Sequence, residues 1–387
     1  MIKDIKFAGI KSGIKKEKKD LGIIVFPNGT TFSGVTTKNK FVAACVEELK
    51  EKINSSDRQC KAILVNSGNA NALTGKEGRL DIQNILNKLA EELKCKPEEL
   101  ISLSTGVIGK RMPVELIKSQ IPILLNDLSS SCENFAEAIL TTDLTKKIIK
   151  KEIKLSNGES VNLLGITKGS GMIQPNMGTM LAFIISDACL SKELSDKILK
   201  KAISKSFNRI TVDSDTSTND SCLLFATNQI KINSVADIKL IEETIVSLSQ
   251  DLAKLIVEDG EGATKFVEIK ISKALNEKEA SAIFYSIANS PLVKTAIFGQ
   301  SANFGRILSA AGKIESSLKP DKVKLFINDV LLFSEGKILS ENQPAIKSSM
   351  FNKKIFIELD LACGNYNFTG WTCDFSYDYV KINADYN

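Results

Sequence analysis

With 387 residues the chain can form two or three domains, and its 43% hydrophobic and 25% charged residues are ordinary for a globular protein. The net charge of +5 is small and the basic residues alternate with acidic ones, which argues against a nucleic-acid-binding role. Histidine is absent, so a hydrolase or transferase built on this chain has no serine–histidine or cysteine–histidine pair.

The cysteines and the N-terminus suggest a compartment. The eight cysteines are scattered, form no CxxC pair and have no histidine beside them, which predicts reduced, buried thiols and no zinc site. The N-terminal stretch lacks the apolar core of a signal peptide, and no apolar run is long enough to span a membrane. We therefore expect a cytoplasmic protein.

The first 166 residues predict alternating strands and helices. Residues 5–37 are expected to form strands, with Pro27-Asn28-Gly29 as a turn between them. The Lys-rich patch from Lys11 to Lys19 is either a solvated turn or a surface that attracts an anionic substrate. The further predicted elements are a helix at 40–53, a strand at Lys61–Asn66, a helix at Lys76–Lys94, a strand at Leu100–Ser104, helices at 113–126 and 130–140, and a hairpin of Lys151–Leu155 with Val161–Ile166.

The remainder of the chain continues this mixture. Ser234 has the spacing from Asp237 that is typical of a helix N-cap. The predicted elements are strands at Thr179–Ile185, up to Phe225, and at 266–272, Lys322–Ile327, Leu331–Phe333, Lys354–Leu361 and Phe375–Ile382, with helices at Lys192–Phe207, Ser234–Val257, 277–289 and from 302 onward. Strands clustered in runs favour an α+β class over a doubly wound sheet.

Three loops have the composition of binding loops. Small and amide residues follow the strand Lys61–Asn66, and this SGNANALTG stretch is either a backbone-lined binding loop or a plain connection. Gly106 follows the next strand, where it either forms a turn or presents its backbone N–H to a ligand. The loop from Glu258 to Lys265 lacks the GxxxxGK[ST] order, so a nucleotide site is rejected there.

The stretch GITKGSGMIQPNMGTMLAFIISDA, residues 165–188, joins a loop to a strand. Lys168 to Gly178 is rich in turn-forming residues, and an apolar run bounded by such signals predicts a buried strand after it. Thr179 is either an ordinary β-branched strand starter or a nucleophile exposed by a cut after Gly178. A free α-amine titrates near pH 8, so a cut chain would supply the base that histidine cannot.

At this stretch the sequence resembles a known family. Lys168-Gly-Ser-Gly-Met-Ile-Gln-Pro-Asn-Met-Gly-Thr-Met-Leu-Ala-Phe183 is similar to the self-cleavage segment of the ornithine acetyltransferases, the bifunctional glutamate N-acetyltransferases of arginine biosynthesis. The resemblance extends over nearly the whole chain. The family usually has Ala-Thr at the cut, where this chain has Gly178-Thr179, and glycine does not hinder the bent backbone that an acyl shift requires.

The resemblance implies a role for each matching residue. Thr179 is the nucleophile, and in the Ser-Thr-Gly-Val-Ile-Gly motif the Thr105 hydroxyl and the Gly106 N–H form the oxyanion hole. The residues that match the family's substrate contacts are Thr142 in Thr-Thr-Asp, Lys168, Thr179, Glu261 in Gly-Glu-Gly-Ala-Thr-Lys, and Asn383 near the C-terminus. The family commonly carries one more hydroxyl residue at the end of the chain, which here stops at Asn387.

The resemblance also implies an activity and an assembly. The expected reaction moves an acetyl group from N2-acetylornithine to glutamate through acetyl-Thr179, without a cofactor or metal, and whether acetyl-CoA is also a donor stays open. The fold implied is stacked sheets flanked by helices. Cleavage would give an alpha chain of residues 1–178 and a beta chain with parts 179–280 and 281–387, which assemble as a heterotetramer of two alpha and two beta chains.

Two other functions remain open at this point. A self-processed aminopeptidase of related architecture would use the same threonine to release amino acids from peptides. A non-enzymatic small-molecule binder would keep the fold and stay uncut.

Overall fold

The computed structural model describes residues 2–174 and 180–385. By its internal contacts the chain divides into two compact units, Met1–Asn208 with Asp215–Ile256, and Arg209–Ser214 with Val257–Asn387. The expected boundary between Gly178 and Thr179 lies outside the described residues, and it stays a prediction. None of the described helices is both long and apolar enough to cross a membrane.

The described strands of the first unit form one eight-stranded sheet. Its strand order is β4-β3-β2-β8-β7-β6-β5, with β1 paired to β2. The pairs β3–β4 and β7–β8 are parallel and the others antiparallel. The elements are β1 Lys6–Ile10, β2 Leu21–Thr36, α1 Ala44–Asn54, β3 Gln59–Asn69, α2 Gly75–Leu93, β4 Leu100–Val107, α3 Val114–Asn126, α4 Glu133–Ala138, β5 Lys147–Lys154, β6 Ser160–Lys168, β7 Leu181–Ala188, α5 Lys192–Lys205, β8 Ser221–Ile230 and α6 Val235–Glu258.

The sheet folds over on itself at β2. Pro27-Asn28-Gly29 does not form the predicted turn between two strands; it lies inside β2, where the pairing register shifts between Val25 and Thr30. Gly29 has φ +71, a left-handed conformation that glycine adopts without strain. Across the bend β2 changes one of its neighbours: its first half pairs with β1 and its second half with β8, while β3 pairs with β2 on both sides of the bend.

A shared core shows that the two halves of this sheet are stacked. Ile101 on β4 and Phe183 on β7 belong to the same buried cluster, and Phe26 stacks on Phe225 at 5.0 Å between ring centroids. Strands β4 and β6 are five places apart in the order, about 24 Å in a flat sheet. Lys168 Nζ at the end of β6 nevertheless lies 3.5 Å from Thr105 Oγ1 on β4. The two halves of the sheet must therefore face each other, and the expectation of stacked sheets is confirmed.

Helices cover the outer faces of the sandwich. Alternate residues of β2 point to opposite sides, so Ile24 joins the inner cluster while Ile23 joins a second core with α1, α2 and α3. On the other half, Gly165 of β6 leaves room for Leu248 and Leu252 of α6, because a Cβ there would lie within 2.7 Å of both side chains. The helix-flanked α+β architecture is thus confirmed.

The second unit is a six-stranded sheet with helices. Its strand order is β12-β11-β10-β13-β9-β14, with β9 and β13 parallel. Its core packs β9 residues such as Ile269 against Ile283 and Ile287 of α7. The elements are β9 Phe266–Ala274, α7 Glu277–Ala288, α8 Pro291–Phe298, α9 Phe304–Gly312, β10 Lys324–Ile327, β11 Val330–Ser334, β12 Lys337–Ile338, α10 Gln343–Ser349, β13 Lys354–Asp360, β14 Tyr366–Cys373 and α11 Tyr377–Ala384.

The strand predicted at Phe375–Ile382 is wrong, since Tyr377–Ala384 is helix α11. The alternating aromatic residues favoured a strand, but the Ser376 hydroxyl accepts a hydrogen bond from Asp378 N and caps a helix instead. Asp378 in the first turn and Lys381 in the last turn also suit the helix dipole. The capping residues therefore predict the structure of this segment better than the alternation of aromatic residues does.

Candidate active site

Lys168 lies at the centre of a polar cluster where strand ends of the sandwich meet. It ends β6, is 7% exposed, and its Nζ donates to Thr141 Oγ1 at 2.7 Å. The same Nζ lies 3.5 Å from Thr105 Oγ1 on β4 and 3.6 Å from Asp143 Oδ2. We name these residues, with Lys147, the Lys168 cluster. The fold thus brings Thr105 and the 141–143 loop to Lys168 from separate parts of the chain, while Thr142 is half-buried between two cluster members.

Asp143 is the fixed anion of this cluster, a role that no sequence motif indicates. Its Oδ1 accepts hydrogen bonds from Lys147 Nζ at 2.8 Å and from Gly169 N at 2.7 Å, and Thr141 N donates to Oδ2 at 3.1 Å. Burial raises the pKa of Asp143, but Lys168, Lys147 and these donors outweigh it and hold the pKa below its ordinary value. Two ammonium groups share one carboxylate, which leaves the cluster with a positive charge suited to an anionic substrate group.

Gly106 sits where only glycine fits. Its φ is +133, and a Cβ built there would lie 2.5 Å from the carbonyl carbon of Gly68 and 2.6 Å from Asn69 N. Strands β3 and β4 therefore approach more closely at this pair than a side chain would allow. Thr105 and Gly106 are half-buried at the end of β4, so backbone and hydroxyl groups remain accessible beside Lys168.

The asparagines at the C-terminal end of β3 and directly after it hydrogen-bond to the backbone around them. Asn66 Nδ2 donates to Asn69 O at 2.9 Å, Asn69 Oδ1 accepts from Asn71 N at 2.8 Å, and Asn69 Nδ2 donates to Arg111 O at 3.0 Å. These amides satisfy backbone groups of the loop and its neighbour. These hydrogen bonds therefore hold in place the backbone that lies opposite Gly106.

One member of the Lys-rich patch Lys11–Lys19 turns toward the cluster. Asp20 is fully buried, and its carboxylate accepts from Ser12 N at 2.6 Å and Lys15 N at 2.7 Å, which fixes the turn. Lys15 Nζ then donates to Leu140 O at 2.9 Å, at the start of the 141–143 loop. Burial, partly offset by Asp20, lowers the pKa of Lys15 to about 8. No sequence pattern distinguishes Lys15 from the other lysines of the patch.

The β6–β7 hairpin brings Lys168 close in register to the start of β7. The two strands are antiparallel and Lys168 pairs directly with Leu181, although thirteen positions separate them in the sequence. Met180 is 5% exposed, and its carbonyl accepts from Ser221 N at 2.9 Å. Gly178 and Thr179 lie outside the described residues, as does the predicted cut between them.

Within the second unit, Glu261 and Asn383 are direct partners. Asn383 Nδ2 on α11 donates to Glu261 Oε2 at 2.8 Å, and Glu261 is 7% exposed. Gly262 has φ +67, and a Cβ there would lie 2.4 Å from Tyr379 N, so the loop packs tightly on the helix. No lysine or arginine in the described part of the chain forms an ion pair with Glu261, and its buried carboxylate can receive a cation.

The end of the Gly-Glu-Gly-Ala-Thr-Lys segment is structural. Thr264 N and Lys265 N both donate to Asp374 Oδ1, at 2.8 and 2.9 Å. Lys265 Nζ donates to the carbonyls of Met350, Phe351 and Asn352 after α10. These contacts fix the loop that carries Glu261.

Each of the eight cysteines, all within described residues, is a free thiol. Five are buried, and burial raises the pKa of Cys45 to about 11, so its thiol stays protonated. The expectation of buried thiols is wrong for Cys189, which is exposed after β7.

Comparison with known proteins identifies the family. The ArgJ family model matches residues 6–387. The arginine biosynthesis bifunctional protein ArgJ of Colwellia psychrerythraea is 39% identical over 100% of this chain and 96% of its own. The glutamate N-acetyltransferase of Methanosarcina mazei is 41% identical over 97% of this chain and 95% of its own.

A solved structure agrees with this assignment. The crystal structure of the arginine biosynthesis bifunctional protein ArgJ from Bacillus halodurans is 32% identical, with a TM-score of 0.51, and the match covers 53% of this chain and 98% of that one. The family suggested by the residues around Thr179 is thereby confirmed. The chain belongs to the ArgJ family and is an acyltransferase of arginine biosynthesis.

Proposed function

We propose that this protein transfers an acetyl group from N2-acetylornithine to glutamate, with Thr179 as the acyl carrier. The observation that carries the proposal is the buried Lys168 ammonium, which contacts Thr105 Oγ1 and Thr141 Oγ1 and pairs in register with Leu181, two residues after Thr179. A cation and hydroxyl donors beside the start of the nucleophile's strand suit an acyl-transfer site.

In the first half-reaction Thr179 Oγ attacks the acetyl carbonyl, and the α-amine of Thr179 takes the hydroxyl proton. Thr105 Oγ and Gly106 N–H donate hydrogen bonds to the negative oxygen of the tetrahedral intermediate. The amine returns the proton to the ornithine nitrogen, the C–N bond breaks, and acetyl-Thr179 remains. Glutamate then attacks the ester through its neutral amine, and the threonine hydroxyl is restored.

Substrate contacts divide by charge. Lys168, with Thr142 beside it, suits the carboxylate common to ornithine and glutamate. Glu261, held by Asn383, suits the side-chain ammonium of ornithine because its buried carboxylate has no lysine or arginine partner among the described residues.

Cleavage between Gly178 and Thr179 is part of this proposal, because only a cut frees the α-amine. The Bacillus halodurans chain supports it, since nearly all of that chain covers about half of this one. The products would be an alpha chain, 1–178, and a beta chain with parts 179–280 and 281–387, assembled as two alpha and two beta chains. The free thiols suit a cytoplasmic location.

The test is a transfer assay on the purified protein. N2-acetylornithine and glutamate should give ornithine and N-acetylglutamate, with parallel double-reciprocal lines, and rapid quenching should trap an acetylated peptide that begins at Thr179. A release of amino acids from peptides without transfer would favour the aminopeptidase alternative. An uncut chain that binds ligand and transfers nothing would favour the binder. A separate assay with acetyl-CoA and glutamate decides whether that donor is also used.

Glu261→Gln is expected to weaken catalysis with N2-acetylornithine while leaving the Gly178-Thr179 cut intact. The amide cannot neutralise the substrate ammonium, and leaving one member of a buried ion pair alone costs about 3–5 kcal/mol, which predicts a fall in kcat/KM of at least 10²-fold. Glu258→Gln is the matched control, because Glu258 is exposed and pairs with Lys354 at the surface. A lower melting temperature with unchanged kcat/KM would instead assign Glu261 a purely structural role.

A further inference from the structure

The strongest unassigned feature of the first unit is the buried pair Asn219–Asp220. Both side chains are almost fully buried, at 5% and 2% exposed. They lie immediately before β8, in the middle of the sheet order and next to β7. Polar groups are buried at a cost, so this placement calls for a physical reason.

Asn219 joins two of the strand ends that form the site. Its Nδ2 donates to Ser104 O at 2.8 Å and to Ala70 O at 2.5 Å. Ser104 directly precedes Thr105, and Ala70 directly follows β3, which pairs with Gly106 through Gly68. One amide group therefore holds the backbone on both sides of the proposed oxyanion donors.

Asp220 contacts the start of a third strand, β7. The backbone N–H of Met180 hydrogen-bonds to its carboxyl group, and the backbone of Asp220 is fixed by Thr37 N, which donates to Asp220 O at 2.9 Å. The parallel pairing of Leu181 with Ser221 starts at the next residue of each strand. The carboxyl group of Asp220 thus holds the backbone of Met180 in place.

The other oxygen of Asp220 is unusual. Oδ2 is buried and has no hydrogen-bond partner among the described residues. Burial raises the pKa of Asp220 well above its ordinary value, and the Met180 N–H and the charge of Lys168 lower it only in part. A neutral carboxylic acid can accept from Met180 N–H and keep one O–H donor, which an ionised carboxylate cannot.

We propose that Asn219–Asp220 is the positioning element that holds the nucleophile-bearing strand in register with the oxyanion donors. The inference rests on the proposed acyl transfer through Thr179. Asn219 fixes Ser104, and hence Thr105 and Gly106, while Asp220 fixes Met180 directly before β7. Because a displacement of about 1 Å can cost on the order of 10²-fold in rate, such a link affects turnover more than affinity.

Four variants test this. Asp220→Ala removes the hydrogen bond from Met180 N–H to the carboxyl group. The kcat for acetyl transfer and the rate of self-cleavage should then fall by about 10- to 100-fold, with KM nearly unchanged. Asp220→Asn is a neutral isostere that still accepts from Met180 N–H, so it should restore most of both rates. Asp187→Ala is the matched control, because Asp187 is a buried carboxyl at the other end of β7 that binds Asn162 N and Nδ2. It should lower the melting temperature and leave kcat within about twofold.

The fourth variant covers a failure of Asp220→Ala to fold. Asp220→Glu keeps the acid and moves it by one methylene, so a positioning role predicts that it is impaired while Asp220→Asn works. An Asp220→Asn protein that is as impaired as Asp220→Glu or Asp220→Ala overturns the proposal. So does an Asp220→Ala protein whose kcat matches that of Asp187→Ala. An inactive wild-type protein would instead refute the acyl transfer itself, which keeps the two failures distinct.

Discussion

Replacing Thr179 by alanine is expected to abolish both the backbone cut and acetyl transfer, and to leave one chain of 387 residues. The same hydroxyl would attack the Gly178 carbonyl in the acyl shift and later accept the acetyl group, so one substitution removes both reactions. The chain contains no histidine that could activate another nucleophile. Intact-mass measurement and N-terminal sequencing report the cut, and the transfer assay reports turnover.

Thr179→Ser is the control for this variant. It keeps the hydroxyl and the α-amine and removes only a methyl group, so it should still cut and still transfer, at a reduced rate. Wild-type protein should appear as fragments 1–178 and 179–387. Acetyl transfer by the alanine variant, or by an uncut wild-type chain, would contradict the role of Thr179.

Local patterns in the sequence predicted most helices and strands but not how the sheet folds over. Short apolar runs located β3, β4 and β6, and the spacing of Ser234 from Asp237 located the start of α6, where Asp237 N donates to Ser234 Oγ at 3.0 Å. The bend in β2 depends on a register shift across Pro27-Asn28-Gly29, which looks like an ordinary turn in one dimension. A stacked sandwich was therefore expected only from the family resemblance.

Strand β14 was missed for a related reason. Tyr366–Cys373 carries asparagine, threonine and glycine in place of a clean apolar alternation. Gly370 is needed because a Cβ there would lie 2.4 Å from the Phe284 ring, a contact made by α7 from far away in the chain. Tertiary packing overrides local propensity at such positions.

The same limit applies to the candidate site. Motif resemblance predicted Thr105, Lys168 and Glu261, since each belongs to a distinctive short segment. Besides near neighbours, Asp143 and the Asn219–Asp220 pair contact partners far away in the sequence, such as Gly169 at 26 positions from Asp143 and Ser104 at 115 from Asn219. Single-sequence reasoning offers no means to pair residues over such separations.

Asp143→Asn is expected to produce the largest loss of stability among the variants considered. The side chains of Asp143 and Lys147 are both fully buried and 2.8 Å apart, and the asparagine would remove the buried carboxylate charge that faces the Lys147 ammonium. Breaking a buried pair in this way costs about 3–5 kcal/mol, or a fall in melting temperature on the order of 10 °C for a unit of this size. Thermal unfolding followed by circular dichroism measures it.

Two comparisons test the physical cause. Adding Lys147→Met removes the buried ammonium that faced the Asp143 carboxylate, so the double variant should recover much of the lost stability. Glu92→Gln, which breaks a half-exposed pair with Lys88, should change the free energy of unfolding by only about 0–1 kcal/mol. A single variant that melts like wild type would mean that Lys147 finds another counter-charge.

The pH dependence supplies the last check on Asp143. Its folded pKa lies below the ordinary value, so the folded state binds fewer protons than the unfolded state in the acid range. The stabilisation is therefore fully present above the ordinary aspartate pKa of about 4, and it is lost as the pH falls toward the folded pKa. The melting-temperature gap between wild type and Asp143→Asn should stay constant from about pH 6 to 8 and shrink below about pH 4. A gap that instead widens on acidification would show that Asp143 is protonated in the folded state, and the Lys168 cluster would then carry two uncompensated ammonium groups.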